Sequence, residues 1–202
     1  LERETSGPAV SRRLSNAERR KQLLAVALGI LREEGADRLT LGRLAARAGV
    51  SKPVAYDHFG TRSGLLIALY QSLDAEHAEA LRSALATGGR SLGETAGVLA
   101  AAYIHCSADT GGEWQAIGAA LSGDETMAAV HQELLDNYVQ LFASALKPFS
   151  ALPPAELEWR CVGLIGAGEA LSAAMVRGKC SEADAAGTFA ALIAGGAQGP
   201  SR

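Results

Sequence analysis

The sequence predicts an all-α protein built from a small N-terminal three-helix unit and a larger helical remainder. Three observations carry that expectation. Ala and Leu recur at helical spacing through nearly every segment, while the alternating β-branched runs of strands are almost missing. Glycine and proline pairs, at Gly88-Gly89, Gly111-Gly112 and Pro153-Pro154, punctuate those segments as helix stops do. With 48% apolar side chains among 202 residues, the chain also has ample material for a packed interior.

Each element follows from local chemistry. Residues 1–15, LERETSGPAVSRRLS, lack periodicity and are expected to form a mobile arm. A first helix is expected from Asn16 or Ala17 to Glu34, with Leu23, Leu24, Ala27, Ile30 and Leu31 inward and Gly35 at its end. Thr40 is placed to cap a second, LGRLAARA, whose Leu41, Leu44, Ala45 and Ala48 face inward and which Gly49 stops. The third, over SKPVAYDHFG, spans only about two turns. Ser51 is placed to cap it, Pro53 suits its first turn, and Gly60 closes it after Phe59. A fourth helix from Thr61 to near residue 86 carries Leu65, Leu66, Leu69 and Leu73 at core spacing and is long enough to join two units. Further helices are expected near 91–108, 112–121, 124–148, 154–177 and 181–194. The organisation drawn from this is an arm at 1–15, a first unit at 16–62 and a second at 63–202.

Charge divides the chain. Residues 1–70 hold 12 Lys and Arg against 7 Asp and Glu, and the rest holds 7 against 15, although the net charge is only −3. A polyanion is drawn to the first third and repelled by the remainder. No apolar run reaches the roughly 18 residues a spanning helix needs, and the basic start lacks the hydrophobic region of a secretion signal, so a cytoplasmic protein with no membrane partner is expected. Leu1 in place of methionine leaves the native start open.

Few residues suggest catalysis. Cys106, Cys161 and Cys180 are odd in number, without a CxxC pair, and read as small buried hydrophobes rather than a disulfide or metal framework. His58, His77, His105 and His131 are scattered, and adjacent His105 and Cys106 should point apart on a helix. VGLIGAGEALSAAM resembles the start of a dinucleotide-binding unit, but Leu171 replaces the third glycine and about thirty residues follow, too few for the strand pairing. That enzyme remains a remote alternative. Neither a cofactor nor a metal is expected.

The short third helix points elsewhere. Helix, tight turn and short helix is the arrangement that holds a reading helix clear of its support, within reach of a DNA groove about 12 Å wide. Ala48-Gly49-Val50-Ser51 supplies the turn, with valine expected to be buried. The run Thr40-Leu41, Leu44-Ala45, Ala48-Gly49-Val50-Ser51, Tyr56, His58-Phe59, Arg62 and Leu65-Leu66 resembles the DNA-binding signature of the TetR family of bacterial transcriptional regulators. The resemblance covers roughly residues 17–66; the rest of the chain resembles the family only in length and helical character.

By that resemblance, Lys52, Pro53, Val54, Tyr56, Asp57 and His58 would face double-stranded DNA, with Ala55 and Phe59 holding the helix to its support. Lys52 suits a guanine edge or a phosphate, Pro53 and Val54 a thymine methyl, and Tyr56 and His58 backbone oxygens. Asp57 would accept from a cytosine amino group or brace Lys52 or an arginine. Thr40, Arg43 and Arg62 are phosphate candidates; lysine is the more usual family residue where Arg62 stands, and arginine changes the geometry. Gly42 has no side chain to read a base. Arg12 and Arg13 would lie in a minor groove or in solvent.

For the larger unit the resemblance implies a homodimer through the last two helices and a small-molecule pocket among the helices between. The residues support parts of this directly. CVGLIGAGEALSAAMV at 161–176 is apolar nearly all round and rich in small residues, and ADAAGTFAALIA at 183–194 could join it across a twofold axis; burial within one subunit is the alternative. Glu169, the one charge in that run, must pair with a cation of the protein or meet a ligand. His131 shares a face with Met127, Leu134, Leu135 and Tyr138. With Tyr103, Trp114 and Phe142 these are core or pocket candidates. The expected function is a ligand-responsive regulator, a repressor released from a pseudo-palindromic operator by an unidentified effector; the alternative is an architectural or protein-regulated DNA binder without an inducer.

Overall fold

A computed structural model describes residues 14–86, 91–109 and 112–198, apart from the side chains of Asp109 and Gln115. Residues 1–13 of the expected arm, with Arg12 and Arg13, lie outside the described residues, as do Gly88, Gly89 and Gly111. The described elements are α1 (Asn16–Glu34), α2 (Leu41–Ala48), α3 (Lys52–Phe59), α4 (Arg62–Leu85), α5 (Leu92–Asp109), α6 (Glu113–Ala120), α7 (Glu125–Leu146), α8 (Pro154–Val176) and α9 (Glu182–Gly196). Single 3-10 turns follow α1, at Ala36–Arg38, and α7, at Lys147–Phe149. Among the described residues there is no strand.

The helix starts obey capping chemistry. Ser15 and Glu18 form a reciprocal capping box at α1, and Ser181 and Asp184 one at α9. Thr40 accepts from the Arg43 amide at 3.1 Å, and Thr61 from the Gly64 amide at 3.0 Å. Ser51 does not cap α3 with its side chain, contrary to expectation. A cap serves the second or third amide of a helix; Pro53 has no amide hydrogen, and the Val54 amide already donates to the Ser51 carbonyl at 3.1 Å. The helix expected to reach residue 148 ends at Leu146, because Pro148 cannot continue the hydrogen-bond ladder and the chain tightens into a 3-10 turn.

Two apolar clusters organise the helices. The first gathers Leu23 and Ile30 of α1, Leu41 and Leu44 of α2, Ala55 and Phe59 of α3, and Leu65, Leu66 and Leu69 of α4. It does not stop at the three-helix unit, since Ile117 of α6 and Met127 of α7 belong to it. The second is built from α5, α7, α8 and α9 around Leu99, Phe142, Cys161 and Phe189, and Leu81 of α4 joins it. One continuous helix, α4, therefore contributes to both.

Two glycines shape the short α3. Gly49 closes α2 with φ +66°, ψ +33°, and Gly60 closes α3 with φ +66°; a side chain at either would be strained. Ordering eight residues costs about 1–2 kcal/mol each, whereas burying one Phe side chain returns about 1.5–3. Ala55 and Phe59 are the buried residues of α3, so this helix is stable only as part of the unit that holds it.

Gly64 sits in the first turn of α4, where an added Cβ would collide with the Phe59 carbonyl oxygen. Gly64→Ala is expected to lower stability by about 1–3 kcal/mol through that clash, despite alanine's higher helix propensity. Gly97→Ala, where a Cβ meets nothing within 4 Å, is expected to raise it by about 0.5–1 kcal/mol. Thermal melts of the two variants check the pair.

Candidate nucleic-acid interface and ligand cavity

The α2–α3 corner presents a polar face. Ala55 and Phe59 dock α3 on its support, while Lys52, Pro53, Tyr56 and Asp57 are exposed, Tyr56 by 53%. Lys52 and Asp57 make no ion pair among the described residues, so the acid is not braced by that lysine. The Lys52 stem passes over Gly42, where an added Cβ would stand 3.9 Å from it, at ordinary contact distance. Val54, expected to face outward, is half-buried and packs against the first cluster, as does Val50 of the turn. His58 is also half-buried, with its ring beside Phe59.

A residue without any motif signal fixes the end of α3. Arg20 of α1 donates to the His58 carbonyl at 2.8 Å, and its guanidinium lies 5.0 Å from the centre of the Phe59 ring. One side chain thus satisfies a carbonyl at the end of α3 and makes a cation–π contact. Nothing in the local pattern marks Arg20, because its nearer partner, His58, is 38 residues away.

Two of the three phosphate candidates have other engagements. Arg62 is turned inward, donating to the carbonyls of Leu39 at 3.0 Å and Ala36 at 2.7 Å, which ties α4 to the 3-10 turn before α2. Arg43 forms a forked pair with Glu34, with contacts of 2.7 and 3.0 Å, and Arg47 reaches Glu33 at 2.6 Å. Hydrogen bonding to these arginines holds the Glu33 and Glu34 carboxyls below their usual range. Thr40 stays exposed at its cap.

A cavity of about 510 Å³ opens between α4, α5, α6, α7 and α8, within the size range of small-molecule sites. Tyr103, Trp114, Met127, His131, Tyr138 and Glu169 all line it. Phe142 does not; it is fully buried in the second cluster, in ring contact with Tyr103 and Phe189. His131 connects two walls, with Nδ1 2.9 Å from the Tyr70 hydroxyl and Nε2 3.4 Å from the Glu169 carboxylate. Tyr70, Asp74 and Ser172 also line the cavity and were not anticipated. Asp74 and Ser172 are buried, each with a side-chain oxygen that has no hydrogen-bond partner. Burial raises the Asp74 carboxyl above its usual range, opposed by a hydrogen bond from Tyr138 and the charge of Arg82.

The cavity also abuts the first unit. Trp114 of α6 packs on Tyr70 of α4, ring centres 4.6 Å apart. The preceding residue, Glu113, is paired with Arg32 of α1 at 2.5 Å. Other candidate chemistry falls away. His105 meets Glu182 of α9 at 2.9 Å, while neighbouring Cys106 lines the cavity. The buried Cys161 thiol is pushed up to about 11. Gly166 and Gly168 lie inside continuous α8 rather than in a strand-to-helix turn. A Cβ at Gly168 would stand 2.8 Å from both Tyr103 and Phe189, so that glycine serves helix packing. No helix among the described residues is long and apolar enough to cross a membrane.

Comparison with known proteins follows the same division. Residues 23–69 match the profile described as bacterial regulatory proteins, tetR family. Over 85 residues the chain is 36% identical to the HTH-type transcriptional activator FasR of Mycolicibacterium smegmatis. That match covers 42% of this chain and 39% of FasR, so it spans about two fifths of the relative's length. Across most of the chain the fold is similar to two solved structures. One is a tetR-family transcriptional regulator from Streptomyces coelicolor, 26% identical, covering 91% of this chain and 84% of that one with a TM-score of 0.68. The other is a TetR-family regulator from a Rhodococcus species, 22% identical, covering 87% and 97% with a TM-score of 0.69. These relatives are described as transcriptional regulators and not as enzymes.

Two stability measurements test the geometry. Arg62→Ala is expected to cost about 1.5–3 kcal/mol, because two carbonyls lose a charged donor, and Arg62→Lys to recover only part of it. An unchanged melting temperature would mean that the inward hydrogen bonds contribute nothing. For Asp74 the raised folded-state pKa sets the sign: the ionised form opposes folding above that value, and the penalty vanishes below the unfolded value of about 4. Asp74→Asn is therefore expected to raise the melting temperature near neutral pH and to leave it unchanged below about pH 4.

Proposed function

We propose that the chain is a regulator of the TetR type, as the match of residues 23–69 and the likeness to FasR support, and that it binds a pseudo-palindromic operator as a homodimer and is released by a small-molecule effector. The observation that carries the DNA reading is the two-sided α3, docked by Ala55 and Phe59 with Lys52, Pro53, Tyr56 and Asp57 left outside. In this reading α3 enters the major groove, Lys52 meets a guanine edge or phosphate, Tyr56 a backbone oxygen, and Thr40 a phosphate from the start of α2. His58 and Val54 play smaller parts, being half-buried, and Arg43 reaches phosphate only by leaving Glu34. The functional division proposed is a DNA-binding unit at 16–62 and an effector and dimer unit at 63–202.

The dimer is supported by what α8 and α9 leave uncovered. Trp159 is 75% exposed, and Val162, Val176 and Leu192 are exposed with it, although the opposite faces of both helices fill the second cluster. Pairing these faces in a second copy removes them from water. Effector control is supported by the aromatic cavity and its unpartnered polar atoms, which favour this reading over a DNA binder without an inducer. α6 lines the cavity with Trp114 and reaches α1 through Glu113, so a ligand that prefers one placement of α6 shifts the DNA-binding unit with it. We propose repression as the mode because occupancy of DNA alone produces it; FasR is named an activator. A DNA partner supports a cytoplasmic location.

Selection of bound sequences from a random DNA pool tests the reading. A twofold-symmetric site with half-sites about one helical turn apart is expected; no enriched sequence would sink it. On the selected site, Lys52→Ala is expected to weaken binding about tenfold, with the salt slope lowered by about one if Lys52 meets phosphate, or preference relaxed at one position if it meets a base. Unchanged affinity and salt dependence in a gel-shift titration would remove Lys52 from the interface.

A further inference from the structure

The charges of the cavity wall are one-sided. The described lining includes three carboxylates, Asp74, Asp124 and Glu169, with His131 and no lysine or arginine. Two of the three carboxylates have work within the protein. Asp124 accepts from the Met127 amide at 3.1 Å as the cap of α7, and Glu169 faces His131. Asp74 differs. It is 6% exposed, Tyr138 supplies one hydrogen bond, and its Oδ1 has no partner. Arg82, two turns further along α4, does not line the cavity and pairs with Glu79. Around Asp74 stand Tyr70, Tyr103, Trp114 and Tyr138, all lining the same space, and aromatic faces attract positive charge. Ser172 adds an unpartnered hydroxyl.

We propose that the cavity takes a lipophilic organic cation, an amine or ammonium compound with an aromatic or alkyl body, and that Asp74 is its principal counter-ion. This rests on the reading of the cavity as the effector site and adds the chemical class. An anion of the same size would face three carboxylates with no cationic side chain beyond His131. A neutral ligand would leave Asp74 buried without an opposite charge, the costly arrangement for a carboxylate. A cation removes that penalty, gains the aromatic faces, and lies beside Glu169 as a second negative group. Burial also holds the Asp74 carboxyl above its usual range.

Calorimetric titration of the full chain with three probes of similar size tests the proposal. These are benzyltrimethylammonium, its uncharged carbon isostere neopentylbenzene, and phenylacetate. The ammonium is expected to bind about tenfold more tightly than the isostere, and phenylacetate more weakly than either. Asp74→Asn should remove most of that preference while leaving affinity for neopentylbenzene unchanged, and Glu169→Gln should remove a smaller part. Equal or tighter binding of neopentylbenzene or phenylacetate overturns the cation assignment while leaving the cavity an effector site. So does a preference that survives Asp74→Asn. Failure of all three probes to bind overturns the assignment and the effector reading together.

Discussion

The docking of α3 is the constraint on which the rest of the molecule turns. An eight-residue helix cannot stabilise itself, yet a helix that reads DNA must keep most of its surface out of the core. The chain meets both demands with two buried side chains, Ala55 and Phe59, and braces from outside the helix. Arg20 holds the C-terminal end through the His58 carbonyl and the Phe59 ring. Arg62 holds the following corner to the turn before α2. Both braces are arginines, which combine an obligate charge with several fixed donors. Positive charge in the first third of the chain therefore serves two purposes: some of it meets solvent, and some of it is spent on carbonyl groups and carboxylates of the protein itself.

The second unit depends on the first more closely than a two-domain description suggests. Ile117 and Met127 belong to the same apolar cluster as Leu23 and Leu44. Trp114 packs against this cluster and also lines the cavity, touching Tyr70 and stacking near His77. A contiguous packed path thus runs from the cavity wall to the support of α3. Close-packed interiors transmit displacement poorly by gradual deformation and better by switching between arrangements. α6 meets α1 through Glu113 and Arg32, and α4 through Trp114 and Tyr70.

Much of this was legible in the residues, and the failures have physical causes. Caps and stops at Thr40, Gly49 and Gly60 could be read because their chemistry is local. The outward set Lys52, Tyr56 and Asp57 was implied by the family resemblance, whereas helical spacing alone marked the shared face of α7, where Met127, His131, Leu134, Leu135 and Tyr138 recur one turn apart. Phe142 continues that face by one more turn, but spacing says nothing about where a cavity ends and a core begins. Tyr70 and Asp74 were hidden because they sit on a helix whose leucine pattern reads as packing. Arg43 and Arg62 look like free cations along the chain; their partners, Glu34 and the carbonyls of Ala36 and Leu39, become neighbours only when α1, α2 and α4 are assembled. Val54 was misjudged for the same reason, since one side of an amphipathic segment is narrower than its support is wide.

The continuity of α4 has a mechanical consequence. Its 24 residues form a rod of about 36 Å, with Arg62 at one end and the cavity residues Tyr70 and Asp74 about 12 and 18 Å along it. A tilt of about 10° pivoting at Asp74 would swing the Arg62 end by about 3 Å, close to the 3.4 Å rise between successive nucleotides. Angular play that is small beside the pivot is thus several times larger at the far end of the helix.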